Sequence, residues 1–406
     1  MDIVIVSQYL RNIEDLNNNN SRFVYLAKLL AKNKKNNIEI ITSDFSHSQK
    51  KHFSKVGHID NIKITVCHEP GYQKNVSLKR FYSHKILSKN VKKYLTKRQK
   101  PDIVYSSVPS LDVAKVCADY CHDNCIKFIV DIQDLWPEAF KMVLKIPVIS
   151  DIVFYPMLKK ENYIYSRADK IVAVSKTYAI RGMKSNKKAK EGISVYLGTE
   201  LDFFDKYVKK NKTIESNNNI KIAYIGTLGT SYDIEKIIDA IKILNDKKIN
   251  NIEFVVIGDG PLKSKFEKYA KENKIKYKFT GKLEYPKMIG ELCNCDIAVN
   301  PIIGTSAASI INKVGDYAAA SLPVINTQNS IEYKKLIDNY NAGFNCENEN
   351  PEDIANKLER LIKNKKLREK MGKGNRKMAE EKFDRKKTYI DIVNVINGVM
   401  NDKKNC

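Results

Sequence analysis

The chain has 406 residues, which is enough for two domains that each bury a hydrophobic core. Its hydrophobic content of 43% and charged content of 29% are ordinary for a globular protein, and no run of about 18 apolar residues predicts a membrane-spanning helix. The formal net charge of +24 is compatible with nucleic-acid binding, but the sequence contains no recognisable nucleic-acid-binding motif. We therefore do not assign the chain to the nucleic-acid-binding proteins. The eight cysteines lack metal-ligand spacing and are typical of reduced thiols in a cytoplasmic protein.

The first 66 residues predict strands that alternate with a helix. The predicted strands are residues 2–7, 38–42 and 62–66, and the helix over residues 21–31 carries apolar side chains at helical spacing. The start of the chain lacks a basic flank and a long apolar core, so it predicts a first strand and not a secretory signal. Together these elements predict a parallel βαβ unit.

A strongly basic segment follows. Residues 71–100 contain ten Lys or Arg and no Asp or Glu, and residues 78–98 predict a helix with one apolar side. Such a helix could lie on an anionic bilayer, and apolar residues 146–149 and 152–158 would add to that surface. Alternatively, the helix packs on the sheet and exposes its basic side to water. For the domain as a whole, we expect a basic surface that faces a membrane.

The next predicted helix, residues 111–125, carries three cysteines that are four residues apart, with His122 beside them. This spacing would suit a metal site, but it is more typical of small buried side chains on an amphipathic helix. We therefore predict no metal ligand in the chain.

An acidic motif follows the strand predicted at residues 127–131. It reads Asp-Ile-Gln-Asp-Leu-Trp-Pro-Glu and contributes three candidate catalytic carboxylates, Asp131, Asp134 and Glu138. Because ligands of open α/β sheets bind beyond the carboxyl ends of the strands, a carboxylate here could position or deprotonate an acceptor hydroxyl. The alternative is a helix start in which Asp134 caps the amides after Pro137.

The second half of the chain predicts another series of strands and helices. The strand at 220–225 runs into Gly-Thr-Leu-Gly-Thr, a small-residue turn before a helix, and this arrangement makes a phosphate-sized nest. The strand at 253–257 ends in Gly-Asp-Gly-Pro, whose glycines supply unusual backbone angles. A third strand ends at Gly281, followed by Lys282 and Leu283.

The most informative segment is residues 296–327. A strand ends at Asn300, a Gly/Thr/Ser-rich turn covers residues 304–309, and a helix carries Asn312, Lys313 and Asp316 before the strand at 323–326. Unpaired amides at such a turn favour an anion, and Lys313 and Asp316 could hold a phosphate and a sugar hydroxyl. The alternative is an ordinary βαβ unit in which the small residues only permit close packing.

Residues 312–325 resemble the C-terminal donor motif of the family 4 glycosyltransferases. Asp316 stands where that family has the second Glu of a Glu-x7-Glu pair, and Ala308 stands where it has the first. The acidic motif at residues 131–138 resembles a signature of a bacterial subgroup that builds surface polysaccharides. The resemblance implies an α/β GT-B fold, with two Rossmann-like doubly wound parallel-sheet domains facing each other across a cleft.

On this resemblance we expect an acceptor-side domain at residues 1–204, a linker at 205–219 and a nucleotide-sugar-binding domain at 220–385. Residues 386–406 would form a helix that crosses back to the first domain. The resemblance implies that the donor diphosphate and its nucleotide lie against the second domain. The candidate donor-binding residues are Gly226, Thr227, Gly229, Thr230, Lys282, Leu283, Ser306, Ser309, Asn312, Lys313 and Asp316.

The function implied is a retaining, metal-independent hexosyl- or N-acetylhexosaminyl-transferase. It would move a sugar from a nucleotide diphosphate-sugar, with UDP as the expected carrier, to a lipid-linked saccharide during O-antigen or capsule synthesis. The enzyme would work in the cytoplasm on the inner face of the plasma membrane. Two alternatives stay open: a nucleotide-sugar 2-epimerase of the same fold, which needs no acceptor, and an inactive membrane-peripheral scaffold, which binds no nucleotide-sugar.

Overall fold

The computed structural model describes residues 1–10, 12–16, 21–141, 147–211, 219–304 and 309–401. The chain divides into two compact units. The first comprises Met1–Val195 and the segment from Tyr389 onward, and the second comprises Tyr196–Thr388. No helix among the described residues has the length and apolar character needed to cross a bilayer.

The first unit alternates strands with helices, as the sequence predicts. Its strands are β1 (Asp2–Val6), β2 (Asn37–Ser43), β3 (Phe45–Ser46), β4 (Lys51–His52), β5 (Ile62–Cys67), β6 (Ile103–Val108), β7 (Lys127–Ile132), β8 (Lys170–Ala173) and β9 (Gly192–Ser194). Its helices are α1 (Arg22–Ala31), α2 (Leu78–Lys97), α3 (Leu111–Asp123), α4 (Glu138–Lys141), α5 (Pro147–Arg167) and α6 (Lys176–Met183).

Seven of these strands form one parallel sheet in the order β5-β2-β1-β6-β7-β8-β9. The strand order reverses between β1 and β6, which is the topological switch point where open α/β sheets bind their ligands. The short antiparallel hairpin β3–β4 stands apart from this sheet. The central strands β1, β6 and β7 are buried along almost their whole length, as is usual for parallel strands between layers of helices, whereas the edge strands β5 and β9 are only partly buried.

The second unit repeats this plan. Its strands are β10 (Ile220–Ile225), β11 (Ile252–Ile257), β12 (Tyr277–Gly281), β13 (Ile297–Asn300), β14 (Val324–Asn326) and β15 (Gly343–Asn345). Its helices are α7 (Leu201–Asn211), α8 (Ile234–Asp246), α9 (Lys263–Glu272), α10 (Tyr285–Cys293), α11 (Lys313–Ala319), α12 (Ile331–Tyr340), α13 (Pro351–Lys363) and α14 (Lys365–Met378). A π-helical turn at Ala379–Phe383 leads to the last helix, α15 (Arg385–Val399).

The six strands of the second unit pair in the order β12-β11-β10-β13-β14-β15, and every pairing is parallel. The switch point lies between β10 and β13. The buried side chain of Tyr317 stabilises this point, because its hydroxyl accepts a hydrogen bond from the Ile225 amide at 2.9 Å and donates one to the Val299 carbonyl at 3.0 Å. The predicted pair of parallel-sheet domains is therefore confirmed.

The predicted boundaries differ from the observed units. The first unit ends at Val195 and not at residue 204, and residues 205–211 belong to α7 and not to a linker. The polar composition of this segment hid a helix whose apolar residues Leu201 and Phe204 are buried in the core of the second unit. Residues 212–218 lie outside the described part of the chain. From Tyr389 onward the chain belongs to the first unit, where the sequence predicts the returning helix.

Candidate functional site

The carboxyl ends of β10 and β11 meet at two glycine turns in the second unit. Gly226 has a φ of +132° and Gly258 a φ of +156°, values that side-chain-bearing residues rarely adopt. A Cβ added at Gly258 would lie 1.9 Å from the Gly226 carbonyl oxygen, so only glycine permits this approach. The Gly-Asp-Gly-Pro turn therefore packs directly against the backbone of the Gly226 turn, which agrees with its predicted structural role.

Lys313 lies directly against the Gly226 turn. A Cβ added at Gly226 would lie 3.1 Å from Lys313 Nζ. Its side chain is buried, and the ammonium lies 3.9 Å from the ring centroids of both Tyr224 and Tyr232. Among the described residues Nζ has no hydrogen-bond partner, and burial lowers the pKa of Lys313 well below its usual value. A buried ammonium without an anion is costly, so this position favours a negatively charged ligand.

The backbone around Gly226 has both occupied and available amides. The Gly226 amide donates to the Ile257 carbonyl and the Leu228 amide donates to the Asp259 carbonyl, both at 3.0 Å, so Gly226 itself offers no free N–H. Among the described contacts, no acceptor is present for the amides of Thr227, Gly229 or Thr230. These three amides and Lys313 together could bind a phosphate group.

Asp316 lies one helical turn after Lys313, with its carboxylate engaged by the protein. Its Oδ1 accepts hydrogen bonds from the hydroxyl of Tyr285 at 2.7 Å and from that of Thr199 at 3.0 Å. Burial raises the pKa of Asp316, and these two hydrogen bonds act in the opposite direction. The Oδ2 atom has no partner among the described contacts, so one oxygen remains available for a sugar hydroxyl.

The other predicted donor residues are distributed unevenly around this site. Lys282 is exposed and Leu283 half-buried, and both follow β12 beside the bridge between Gly258 and Gly281. Ser309 is half-buried and its carbonyl accepts from Gln328 Nε2 at 2.6 Å. Asn312 is exposed, while Ser306 lies outside the described residues.

The sequence analysis missed a buried amide network at the carboxyl ends of β13, β14 and β15. Asn300 Nδ2 donates to Asn326 Oδ1 at 2.9 Å and to Gln328 Oε1 at 3.2 Å, and Asn326 Nδ2 donates to Asn345 Oδ1 at 2.9 Å. The side chains of Asn300, Asn326 and Gln328 are fully buried. The recurrence of Asn as the last residue of all three strands is the signal that could have revealed this network.

The first unit contains a cavity of about 410 Å³ beyond the carboxyl ends of its central strands. Aromatic rings and a few polar groups line it, as is usual for sites that bind small molecules. The lining residues are Tyr9, Leu10, Phe45, Ser46, His47, Ser48, Asn75, Val76, Arg80, Pro109, Asp134, Trp136 and Phe140. Hence the only tryptophan lies in the wall of this cavity, as the motif predicts.

Arg80 supplies a buried positive charge to the cavity wall. Its guanidinium lies over the Trp136 ring at 4.7 Å and donates to Tyr9 Oη at 3.0 Å and to the Asn75 carbonyl at 2.7 Å. Within the described part of the chain, no carboxylate lies within salt-bridge distance of Arg80. Burial lowers the pKa of the adjacent His84 to about 3, so that imidazole stays neutral near pH 7.

Asp134 is the one predicted catalytic carboxylate that lines the cavity. Burial raises the pKa of Asp134, while hydrogen bonds from the Leu135 amide at 3.0 Å and the Tyr178 hydroxyl at 3.4 Å partly oppose that shift. A half-buried carboxylate with a raised pKa is suited to accept a proton or to orient a hydroxyl. The bond to the Leu135 amide is local, and no described amide after Pro137 donates to Asp134, so the predicted alternative of a helix cap is not what the structure shows.

Asp131 and Glu138 do not line the cavity, which corrects the sequence prediction. Asp131 is completely buried and binds Arg22 at 2.7 Å, with further hydrogen bonds from Tyr105 and Gln133. Glu138 accepts from Arg181 Nε at 3.0 Å. Asp131 is therefore engaged by partners within the first unit, whereas Glu138 is bound only through Oε1 and its buried Oε2 has no hydrogen-bond partner among the described residues.

Comparisons with known proteins agree with this geometry. Residues 205–378 match the family model of glycosyl transferases group 1. The matched range contains the glycine turns, Lys313 and Asp316. The first unit lies outside the matched range.

Three similar proteins extend the comparison. An uncharacterized glycosyltransferase of Methanocaldococcus jannaschii is 28% identical over 233 residues, which are 57% of this chain and 60% of that protein. The capsular polysaccharide biosynthesis glycosyltransferase CapM of Staphylococcus aureus is 23% identical and covers 76% of this chain and 79% of its own. The crystal structure of Anabaena HepE in complex with UDP superposes with a TM-score of 0.69, at 13% identity over 98% of this chain and 100% of HepE. The likeness to HepE confirms the predicted α/β GT-B fold class.

Proposed function

We propose that the chain is a retaining glycosyltransferase that transfers a sugar from a UDP-sugar to a lipid-linked saccharide. The observation that carries the proposal is the buried ammonium of Lys313, which lies against the Gly226 turn without an anionic partner among the described residues. A diphosphate would supply the missing charge and accept from the amides of Thr227, Gly229 and Thr230. The complex of HepE with UDP supports the choice of nucleotide.

In this proposal Asp316 accepts hydrogen bonds from the ribose diol through Oδ2. Tyr285 and Thr199 fix its orientation through Oδ1, so the carboxylate is held before the donor arrives. Asp316 is one methylene shorter than the Glu of the donor motif, and it lies on the same short helix as Lys313. Lys282 and Leu283 follow the strand whose end would frame the base.

The cavity of the first unit is the proposed acceptor site. Trp136 and Phe140 offer ring faces on which a sugar can pack, and Arg80 adds a positive charge that has no carboxylate at salt-bridge distance among the described residues. A sugar that carries a diphosphate, as in a lipid-linked intermediate, would satisfy both features. The resemblance to CapM supports a role in capsule or other surface-polysaccharide synthesis.

The proposed reaction exchanges one bond at the anomeric carbon for another. The bond between the anomeric carbon and the donor phosphate breaks, and a bond from the acceptor oxygen forms on the same face of the sugar. The acceptor proton passes to the departing phosphate oxygen, while Lys313 and the turn amides stabilise the charge that develops there. Asp134 orients the acceptor hydroxyl. No residue need form a covalent intermediate.

Transfer assays with purified protein test this function. We expect one of a panel of UDP-sugars to bind and to be transferred to a lipid-diphosphate-linked saccharide, with an α-linked donor giving an α-linked product by NMR. Product formed without any acceptor, as a changed sugar, would favour the 2-epimerase. Absence of nucleotide-sugar binding would favour the scaffold.

The variant Asp134→Asn tests the proposed acceptor site separately from the proposed donor site. We expect this variant to bind the UDP-sugar as tightly as the wild type but to transfer it about 100-fold more slowly, because a carboxylate oxygen no longer accepts a hydrogen bond from the acceptor hydroxyl and holds it in place. Since burial raises the pKa of Asp134, wild-type activity should fall on acidification at a pH above the usual carboxyl range, and this limb should be absent from the variant. Glu138→Gln is the matched control. Unchanged transfer by Asp134→Asn would remove this residue from the mechanism.

A further inference from the structure

Three potential metal ligands converge beside the acceptor cavity. Asp44 lies between β2 and β3, His52 lies in β4, and His68 follows β5. We call Asp44, His52 and His68 the hairpin cluster. The cluster is part of neither the donor site nor the residues that line the cavity.

The ligand atoms of the hairpin cluster point at one another. His68 Nδ1 lies 2.8 Å from Asp44 Oδ2, His52 Nε2 lies 3.7 Å from Asp44 Oδ1, and all three ligand atoms fall within 4.8 Å of one another. The Glu69 carbonyl oxygen lies 2.7 Å from His52 Nε2. Small side-chain movements would place two imidazole nitrogens, a carboxylate oxygen and this carbonyl around one ion at bond lengths of roughly 2.0–2.2 Å.

We propose that the hairpin cluster binds a divalent transition-metal ion, with Zn²⁺ as its expected occupant. Two imidazoles and a carboxylate are nitrogen and oxygen donors of the kind that Zn²⁺ accepts, whereas Mg²⁺ and Ca²⁺ prefer oxygen donors alone. The side chains of His52 and His68 are 44% and 62% exposed, so an ion can enter from solvent and water can complete its coordination.

An ion bound at the hairpin cluster would affect the wall of the neighbouring cavity. Bound metal would join the β3–β4 hairpin to the end of β5, and residues 45–48 of that hairpin form part of the cavity wall. The ion would therefore stiffen one wall of the cavity while taking no part in bond making or breaking. This inference concerns metal binding alone and does not depend on the proposed transferase activity.

Calorimetry with Zn²⁺ on untagged, chelator-treated protein tests the site. We expect one ion per chain in the wild type, and a loss of affinity of about tenfold or more in His68→Ala, because one of three side-chain ligands is removed. The pair His58–Asp60 provides a matched control. Its atoms lie 3.1 Å apart and both side chains are highly exposed, but it has no third ligand among the residues that the structure describes, so His58→Ala should bind as the wild type does.

Two further measurements make the result decisive. Asp44→Asn keeps the shape of the side chain and should also weaken binding, which covers the case in which His68→Ala folds poorly. Zn²⁺ should slow amide hydrogen exchange in residues 45–52 of the wild type and leave the same segment of His68→Ala unchanged. Equal Zn²⁺ affinity in the wild type, His68→Ala and Asp44→Asn, or no binding by the wild type, would overturn the proposal.

Discussion

Lys313 and Asp316 share one short helix but meet different surroundings. The carboxylate of Asp316 already has two hydroxyl partners, whereas the ammonium of Lys313 has only ring faces near it among the described residues. Asp316 is therefore held in place, whereas Lys313 has a buried amino group without a hydrogen-bond partner among the described residues. This difference makes Lys313 the sharper probe of donor binding.

Replacing Lys313 with Met should weaken UDP binding by about tenfold or more, because a charge-assisted hydrogen bond to phosphate is lost. The ligand-free variant should be at least as stable as the wild type, since a buried unpaired cation is replaced by an apolar side chain of similar length. Calorimetry and thermal melting measure the two effects. Lys366→Met, at an exposed position outside the proposed site, is the control, and undiminished UDP affinity in Lys313→Met would contradict the donor assignment.

The lowered pKa of Lys313 adds a pH signature. The folded protein binds fewer protons here than the unfolded chain does, so this residue costs stability progressively as pH falls from about 10.4 toward the lowered value. A bound phosphate raises that pKa again, so UDP binding should take up a proton. Calorimetry in buffers of different ionisation enthalpy should detect this uptake in the wild type and find it reduced in Lys313→Met.

Local motifs predicted part of the site, but they could not predict which of its side chains are bound by residues far away in the sequence. Lys313 and Asp316 lie on one short helix, with Lys313 against the Gly226 turn, and Asp134 lines the cavity of the first unit. Asp131 belongs to the same motif as Asp134, yet Arg22 binds it from a helix more than a hundred positions earlier in the chain. Such a long-range ion pair leaves no mark on the motif itself, so sequence spacing could not separate the buried carboxylate from the accessible one.

The basic helix α2 packs on the first unit and leaves apolar side chains exposed at its start. Leu87, Val91 and Leu95 are buried against the first unit, so the helix does pack on the domain. At its start, however, Leu78 is 88% and Tyr82 60% exposed. The ring of Phe81 contacts Phe140, which contacts Phe154 of α5, and α5 exposes three more apolar side chains near its own start, Ile152, Val153 and Tyr155.

We propose that this exposed apolar surface, flanked by the lysines of α2, docks on an anionic membrane. Leu78→Ser with Tyr82→Ser should reduce binding to phosphatidylglycerol vesicles about tenfold or more, because two apolar side chains lose their contact with lipid. Salt should weaken the wild type, since lysine charges add to the attraction. Ile331→Ser, an exposed apolar position of the second unit, is the control in co-sedimentation. Equal binding by all variants would leave α2 a packing element.

Elements with a regular apolar period were predictable, and those held by distant partners were not. The β3–β4 hairpin consists of two strands of two residues each, too short to show an alternating pattern. Helix α5 continues through Pro156, where a proline usually indicates an end. Both elements supply walls or surfaces of the first unit, so the acceptor side was harder to predict than the donor side.

At the scale of the whole molecule, each unit places its candidate site at the carboxyl ends of a parallel sheet. The strand series and its turns predicted this plan, because a buried parallel strand reads as a short apolar run with a turn after it. The 410 Å³ cavity was beyond prediction, since its lining comes from residues 9 to 140 and only the completed fold brings them together.

We also predict that the transfer reaction does not require a metal ion. The phosphate charge is assigned to Lys313 and backbone amides, so EDTA should leave UDP-sugar affinity unchanged and transfer at saturating acceptor nearly so. Rates measured with EDTA and with added Mg²⁺ or Mn²⁺ check this. A loss of donor binding in EDTA that Mn²⁺ restores would assign part of that charge to an ion.

The last helix has a consequence for synthesis on the ribosome. Tyr389, Ile392, Ile396 and Val399 of α15 are buried in the core of the first unit, beside side chains of β1 and α1. The first unit therefore depends on residues made after every residue of the second unit. During translation the second unit can therefore fold before the first unit is complete. Until α15 has been synthesised, part of the apolar core of the first unit stays exposed.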